Sequence, residues 1–520
     1  MVSPPAGAFE TILIIDLGSQ YTQLIARRIR ELNVYSEILD NTLTAAELKA
    51  RSKVIGLILS GGPNSVYQYG SPTIDPALLD AGIPILGICY GLHLMGKLGG
   101  GRIEGAHRQE FGKTELWVDN HERSLLFRGL NPNLICWMSH GDVLQAVPRG
   151  AVVTAHTDAT PIAAYEHRER GHYAVQFHPE VTHTPWGTEL LRNFVYGACS
   201  ARRDWTMGNF AEMATNEIRG QCDGGEVISA VSGGVDSLCT AALVDRAVGE
   251  RLHPIFVDHG LLRAEEGDKV VAAWKDHFQS KLERINAGGR FLTQLKGVGD
   301  PERKRRIIGR EFIRIFEDAA QKYMGAGYLA QGTLYPDVIE SHGIGLHAHR
   351  IKTHHNVGGL PKRMKLALIE PLRDLFKDEV RRLALTLGLP RPMVYRQPFP
   401  GPGLAIRIIG EVTAERLRIL RAADKIVRDE IEMAEMERPW QYFAVLPAVK
   451  TVGVMGDRRT YGYPLIIRAV QSEDAMTADW AKIPVRNLER IASRIIGEVP
   501  GINRVCLDIT SKPPATIEWE

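Results

Sequence analysis

The 520-residue sequence has only six cysteines, and none forms a Cys-x-x-Cys pair. That excludes a disulfide scaffold and a zinc ribbon, leaving each cysteine to pack or to react. Charge of one sign is also missing. Lys+Arg 63 against Asp+Glu 61 leaves a net +2, which is no basis for a global nucleic-acid field. No run approaches the ~18 consecutive apolar residues of a membrane span. The opening stretch Met1–Glu10 lacks the charged and apolar regions of a secretory signal. The expected setting is therefore the cytoplasm, with neither nucleic acid nor membrane as partner.

The composition is that of an ordinary globular protein, 44% hydrophobic and 24% charged. At roughly 100–200 residues per domain the length predicts about three or four domains. Thr11–Leu17, Val54–Ser60 and Ile83–Ile88 read as strands buried on both faces, with a helix over Gln20–Leu32. This is the pattern of a parallel α/β sheet. A polar stretch, Ser200–Thr206, precedes a second α/β start. There a strand over Glu226–Val231 leads through a glycine turn to a helix over Ser237–Val248, with further strands at His253–Asp258 and Tyr328–Gln331. Gln397–Gly403 holds three prolines and two glycines, so it is a stiff linker or a structured loop. Beyond it, helices over Thr413–Met436 and Val485–Ile496 and strands over Tyr442–Leu446, Thr451–Met455, Leu465–Val470 and Val505–Ile509 suggest a small α+β unit. The predicted fold class is α/β: two doubly wound parallel-sheet domains (10–203 and 204–397) followed by a small α+β domain (398–520).

Two turns carry chemistry. The strand ending at Ile88 runs into Gly87-Ile88-Cys89-Tyr90-Gly91, a cysteine form of the nucleophile elbow. Such a turn presents the thiol near a helix N-terminus, where the dipole favours thiolate. Gln176-Phe177-His178-Pro179-Glu180 supplies a base, His178, and a carboxylate, Glu180, to orient it. Ser60-Gly61-Gly62-Pro63 ends another strand, and N–H groups of Gly62 and Tyr90 can form an oxyanion hole. A lone cysteine is more often a small buried core residue, and Cys136, Cys199, Cys222, Cys239 and Cys506, which lack such a setting, are read as structural. The second turn, Ser232-Gly233-Gly234-Val235-Asp236-Ser237, follows a strand and opens a helix. Its glycines admit a polyphosphate, and it has no Walker lysine. Asp236 is either a Mg²⁺ contact or a helix cap.

The first constellation resembles the class I glutamine amidotransferases over about the first 200 residues, one domain by size. The resemblance implies a Cys89-His178-Glu180 triad that releases ammonia from glutamine through a thioester. That family commonly has glutamine four residues after the cysteine, where this chain has His93. The second turn resembles the loop of the ATP pyrophosphatases, which implies ATP contacts from Ser232, Gly233, Gly234, Val235, Asp236, Ser237 and Leu238. Leu238 stands where a second serine is frequent in that family.

The pair of domains narrows the reading further. So do Val257–Arg263, Leu329–Thr333, Ile351–Asn356, Pro398–Arg407 and the tail Asp508–Glu520. Together they resemble the GMP synthases across nearly the whole chain. That resemblance implies adenylation of XMP by ATP with Mg²⁺, then displacement of AMP by ammonia. It further implies XMP contacts from Arg305, Lys512 and Glu518, a lid carrying Lys352, and a homodimer formed through the third domain. Gln397 stands where the family often has histidine. Two other readings stay open at this stage: an ATP pyrophosphatase that amidates or thiolates another acceptor, and a catalytically weak regulatory homologue.

Overall fold

Thr11–Ile15 has no polar alternation, and a strand of this kind is stable only when both faces are covered. In the computed structural model, which describes residues 7–63, 65–119, 123–323, 325–342, 366–472 and 477–520, it becomes the interior of a nine-stranded sheet. The strands are β1 (Thr11–Asp16), β2 (Tyr35–Asp40), β3 (Val54–Leu59), β4 (Ile85–Ile88), β5 (Arg102–Val118), β6 (Asn133–Ala146), β7 (Val152–His156), β8 (Ala164–His167) and β9 (His172–Val175). Their order is β2-β1-β3-β4-β9-β8-β7-β5-β6. From β2 to β9 all neighbours are parallel. The remaining strands add an antiparallel wing. The sequence pattern predicts the parallel part and not the wing. β5 and β6 mix charged and apolar residues along a long hairpin whose register shifts between Gly105 and Glu110, and such a ladder leaves no clean period.

The second sheet is wholly parallel, in the order β12-β11-β10-β13-β14. It is built from β10 (Val227–Val231), β11 (Leu252–Asp258), β12 (Glu283–Asn286), β13 (Tyr328–Ala330) and β14 (Ala367–Ile369). The direction of winding reverses at β10. Open α/β sheets bind ligands at that switch point, beyond the carboxyl ends of the strands. The basic stretch from Pro301 opens a long helix, Pro301–Ala320, whose start is capped by Asp300 accepting from Arg303 N at 2.7 Å.

The third sheet is mixed. β15 (Ile408–Ile409), β16 (Gln441–Pro447), β17 (Thr451–Met455) and β18 (Arg458–Gln471) run in the order β15-β16-β18-β17, while β19 (Asp479–Trp480) and β20 (Ile502–Asp508) also pair with β18. The helices Ala414–Glu432 and Val485–Glu498 pack with this sheet. The third unit shares a core with the second, since Ile228, Ile255 and Leu329 lie in one cluster with Leu404, Leu420 and Ile467. Gln441 Nε2 donates to Pro398 O, and Tyr442 N donates to Gln397 Oε1 at 3.0 Å. The proline-rich stretch is thus a structured loop tied to β16, and Gln397 is one of its ties.

The first and second units meet at a buried ion pair. Arg30 Nη1 donates to Glu379 Oε2 at 2.9 Å, with both side chains 1% exposed. Trp205, from the polar stretch read as a connection, donates through Nε1 to Glu379 Oε1 at 2.6 Å. The rings of Tyr35 and Tyr335 lie 4.8 Å and 4.9 Å from the guanidinium carbon. Arg30→Ala leaves a buried carboxylate facing only neutral donors, which is expected to cost about 3–5 kcal/mol. Urea unfolding reads this directly, and a loss below about 1 kcal/mol would contradict the packing described.

Candidate functional site

Carboxyl ends of three strands of the first parallel sheet, β3, β4 and β9, lead into the site around Cys89. The residue has φ 53° and ψ −104°, a conformation that costs a non-glycine residue energy and is held only by its surroundings. The flanking glycines explain how the turn closes. A Cβ on Gly91 would lie 2.4 Å from Leu59 O, and one on Gly87 would lie 2.7 Å from the Gly91 backbone. The helix Tyr90–Leu98 starts directly after the thiol, so its first N–H groups have no intrahelical acceptor. Gly62 closes in from the end of β3, where a Cβ would stand 3.0 Å from the Tyr90 ring. The structure therefore brings together Cys89, Tyr90 and Gly62.

β9 delivers the base. His178 Nδ1 lies 2.7 Å from Glu180 Oε1, and both side chains are nearly fully buried. Tyr21 packs edge-on against the imidazole at 5.1 Å. Burial alone would favour the neutral ring. The Glu180 charge and the hydrogen bond to Cys89 outweigh it and hold His178 well above the ordinary imidazole range. An imidazolium is thus available at neutral pH beside the thiol. The other cysteines differ. Cys136, Cys199, Cys222 and Cys239 are buried, with Cys136 pushed up to about 12 by burial and then by Glu110. Cys506 is exposed on β20.

His93 is the departure from the amidotransferase pattern, and its setting has a measurable consequence. Burial and then His140 pull its imidazole down to about 4. Between pH 6.5 and 4 the unfolded chain takes up a proton that the native ring refuses, so stability falls as pH falls through that window. The expected penalty at pH 4.5 is about 2–3 kcal/mol. His93→Gln removes it. Its loss of unfolding free energy between pH 7 and pH 4.5 should be smaller than the wild-type loss by about that amount. Equal losses would show that His93 does not contribute.

The second constellation sits at the switch point. After β10, Ser232 N and Oγ approach Ser237 Oγ at 3.2 Å and 3.0 Å, and Ser237 Oγ donates to Gly234 O at 3.0 Å. Gly233 has φ +76°, which turns the loop N–H groups into a concave nest ahead of the helix Val235–Val248. Asp236 lies at the mouth and accepts from Lys377 Nζ at 2.6 Å and 2.5 Å. Leu238 does not join this nest. Its side chain is buried in the apolar core and its N–H bonds Gly234 O, because that position on the first helical turn faces inward. Lys377 was not marked by any sequence motif. It comes from a distant helix, Lys377–Thr386, and only the fold places it at the loop.

Of the remaining predicted residues, Arg305 bonds the C-terminal tail and Glu518 is part of it. Arg305 donates to Glu520 O. Glu518 accepts from Arg407 at 3.0 Å and 2.8 Å and from Gln441 Nε2 at 2.8 Å. Lys512 lies in the same tail, tied by its backbone to Ala478. Arg407 stacks on Phe443 at 3.9 Å, and Lys304 is buried against Ala405 O, Ile408 O and Glu520. Arg407 is legible in the sequence only as the end of the Pro398–Arg407 segment, and Lys304 gives no signal as one lysine in a charge run. Lys352 lies outside the described residues.

Comparison with known proteins agrees with both halves. The model of class I glutamine amidotransferases matches residues 13–198, and that of the GMP synthase C-terminal domain matches residues 429–519. The glutamine-hydrolysing GMP synthase of Carboxydothermus hydrogenoformans is 56% identical over 510 residues, covering 98% of this chain and 99% of the relative. That of Geobacillus kaustophilus is 54% identical over 512 residues, with 98% and 99% coverage. That of Thermosynechococcus vestitus is 53% identical over 519 residues, with 98% and 96% coverage. Identity above half over 98% of this chain, and over 96–99% of each relative, shows the family: the chain belongs to the glutamine-hydrolysing GMP synthases.

Proposed function

We propose that this chain makes GMP from XMP, using ATP to activate the purine and glutamine to supply nitrogen. The observation that carries the reading is the strained Cys89 elbow beside the His178–Glu180 pair, in the same chain as the phosphate nest after β10. Cys89 sulfur attacks the side-chain amide carbon of glutamine. His178 gives its proton to the leaving nitrogen, and ammonia departs from a thioester. Water activated by the same imidazole then frees glutamate. N–H groups of Gly62 and Tyr90 receive the oxyanion at each stage.

In the second unit the XMP C2 oxygen attacks the α-phosphorus of ATP and pyrophosphate leaves. Ammonia adds at C2, and AMP carries the old oxygen away. Ser232, Gly233, Gly234, Val235 and Ser237 hold the polyphosphate through backbone N–H and hydroxyl groups. Asp236 fits Mg²⁺ entering with ATP, because that ion takes one or two carboxylates plus substrate phosphates. Among the described residues no group of three or more His, Cys, Asp or Glu side chains forms a resident metal cage. When bound, the ion neutralises phosphate charge. Arg305 and Lys512 present cations to the XMP phosphate, and Glu518 accepts from purine or ribose donors.

The unit boundaries at 203 and 397 and a cytoplasmic setting belong to the same proposal. Among the described residues no helix is long and apolar enough to cross a membrane. A homodimer through the third sheet is supported by β17 and β18, where Val452, Val454 and Tyr461 are exposed and Val452 lies directly opposite Tyr461. The test is GMP, AMP and pyrophosphate formation from XMP and Mg–ATP with glutamine. Glutamine turnover without any of these products would point to another acceptor.

A further inference from the structure

A second polar chain ends on the Cys89 sulfur. Gln176 Nε2 donates to Sγ at 3.8 Å, while Ser139 O accepts from the thiol at 3.6 Å. Gln176 is fully buried, two residues before His178 on the segment leaving β9. The opposite end of its amide, Oε1, is buried without a well-formed hydrogen bond. So is Nε2 of His93, one turn along the helix from Cys89. The two orphaned atoms are matched in kind: an amide oxygen accepts, and a neutral imidazole N–H donates. Burial keeps the His93 ring neutral, which leaves it an N–H to offer the Gln176 oxygen. Behind His93 stand His140 and Asp142. His140 Nδ1 bonds Asp142 O at 2.9 Å, and its Nε2 lies 3.4 Å from Glu110.

A primary amide has one donating and one accepting end. Turned the other way, Gln176 would present its oxygen to the sulfur and repel a thiolate. We propose that Gln176 is a second hydrogen-bond donor to the Cys89 sulfur, alongside His178, and that His93 is the positioning residue that holds the amide in its donating orientation. This inference rests on the glutaminase reading of the first site. It gives His93 work that no alignment of chemistry in the triad requires: it acts on the nucleophile through Gln176.

The test uses the full-length enzyme and iodoacetamide, which alkylates thiolate. Groups that set the sulfur's charge are His178 with Glu180, Gln176, and His93 with His140 and Asp142. Gln176→Met keeps length and removes the donor. Its inactivation rate below pH 7 should fall about tenfold, with the rate profile moved about one pH unit upward and the alkaline plateau kept. The kcat for glutamine should fall about tenfold with KM little changed. Gln176→Glu, placing an acceptor on the sulfur, should move the profile at least as far. His93→Leu should move it in the same direction, and His93→Gln, whose amide N–H₂ again donates to Gln176, should restore it. Near-UV circular dichroism and cooperative thermal unfolding report whether each variant folds. If Gln176→Met does not fold, the His93 pair carries the test. An unchanged alkylation profile in folded Gln176→Met, or a rise in KM alone, overturns the inference. Wild-type enzyme that releases no glutamate, or that keeps glutaminase after alkylation at Cys89, overturns instead the reading on which it rests.

Discussion

Cys89→Ala is expected to lower glutamine-driven GMP formation by at least about 10³-fold while ammonium-driven formation stays near wild type. The size follows from the chemistry. Without the sulfur there is no covalent intermediate, and the oxyanion donors at Gly62 and Tyr90 have no adduct to stabilise. The selectivity follows from the fold. Cys89 follows β4 of the nine-stranded sheet, whereas the phosphate nest follows β10 of another sheet. The Cβ of alanine occupies the place of the cysteine Cβ, so the elbow keeps its backbone. Parallel assays with glutamine and with ammonium salt measure both limbs. Loss of both would mean that the elbow supports the second unit structurally. Loss of neither would remove Cys89 from the mechanism.

The second large effect is expected at the phosphate loop. Asp236→Asn should lower GMP formation by about 10²–10³-fold with either nitrogen source. The Asp236 carboxylate pairs with Lys377 at 2.5–2.6 Å. With Mg–ATP in the loop, the cation needs a negative oxygen, which an amide supplies hardly at all. Alkylation of Cys89 should be unaffected, since the carboxylate lies in the other unit. A variant that retained glutamine-driven synthesis within a few-fold would place the metal contact elsewhere.

The separate motifs of both sites are readable before folding because each motif lies within a short stretch of chain, and the pairing of Cys89 with His178 rests on the family resemblance. The elbow, the HPE segment and the SGGVDS loop are strand-to-helix turns, where local sequence sets the backbone and the backbone makes the site. What crosses the chain is not readable. Gln176 reaches Cys89 over 87 residues, and Lys377 reaches Asp236 over 141. Neither has a partner nearby in sequence, and only the parallel order of the sheets sets their meeting. The same limit applies to Arg30. A basic residue on an amphipathic helix reads as a solvated face, yet the docking of the second unit buries it against Glu379. Leu238 shows the reverse error: a position inside a motif looks like a contact until helical phase turns its side chain into the core.

The most direct test of the central claim is to supply glutamine labelled with ¹⁵N in the side-chain amide, together with XMP, Mg–ATP and unlabelled ammonium at low concentration. If one chain couples the two sites, the label appears in the exocyclic amine of GMP, with AMP and glutamate formed in step with it. Glutamate released without GMP, while added ammonium also gives none, would contradict the account.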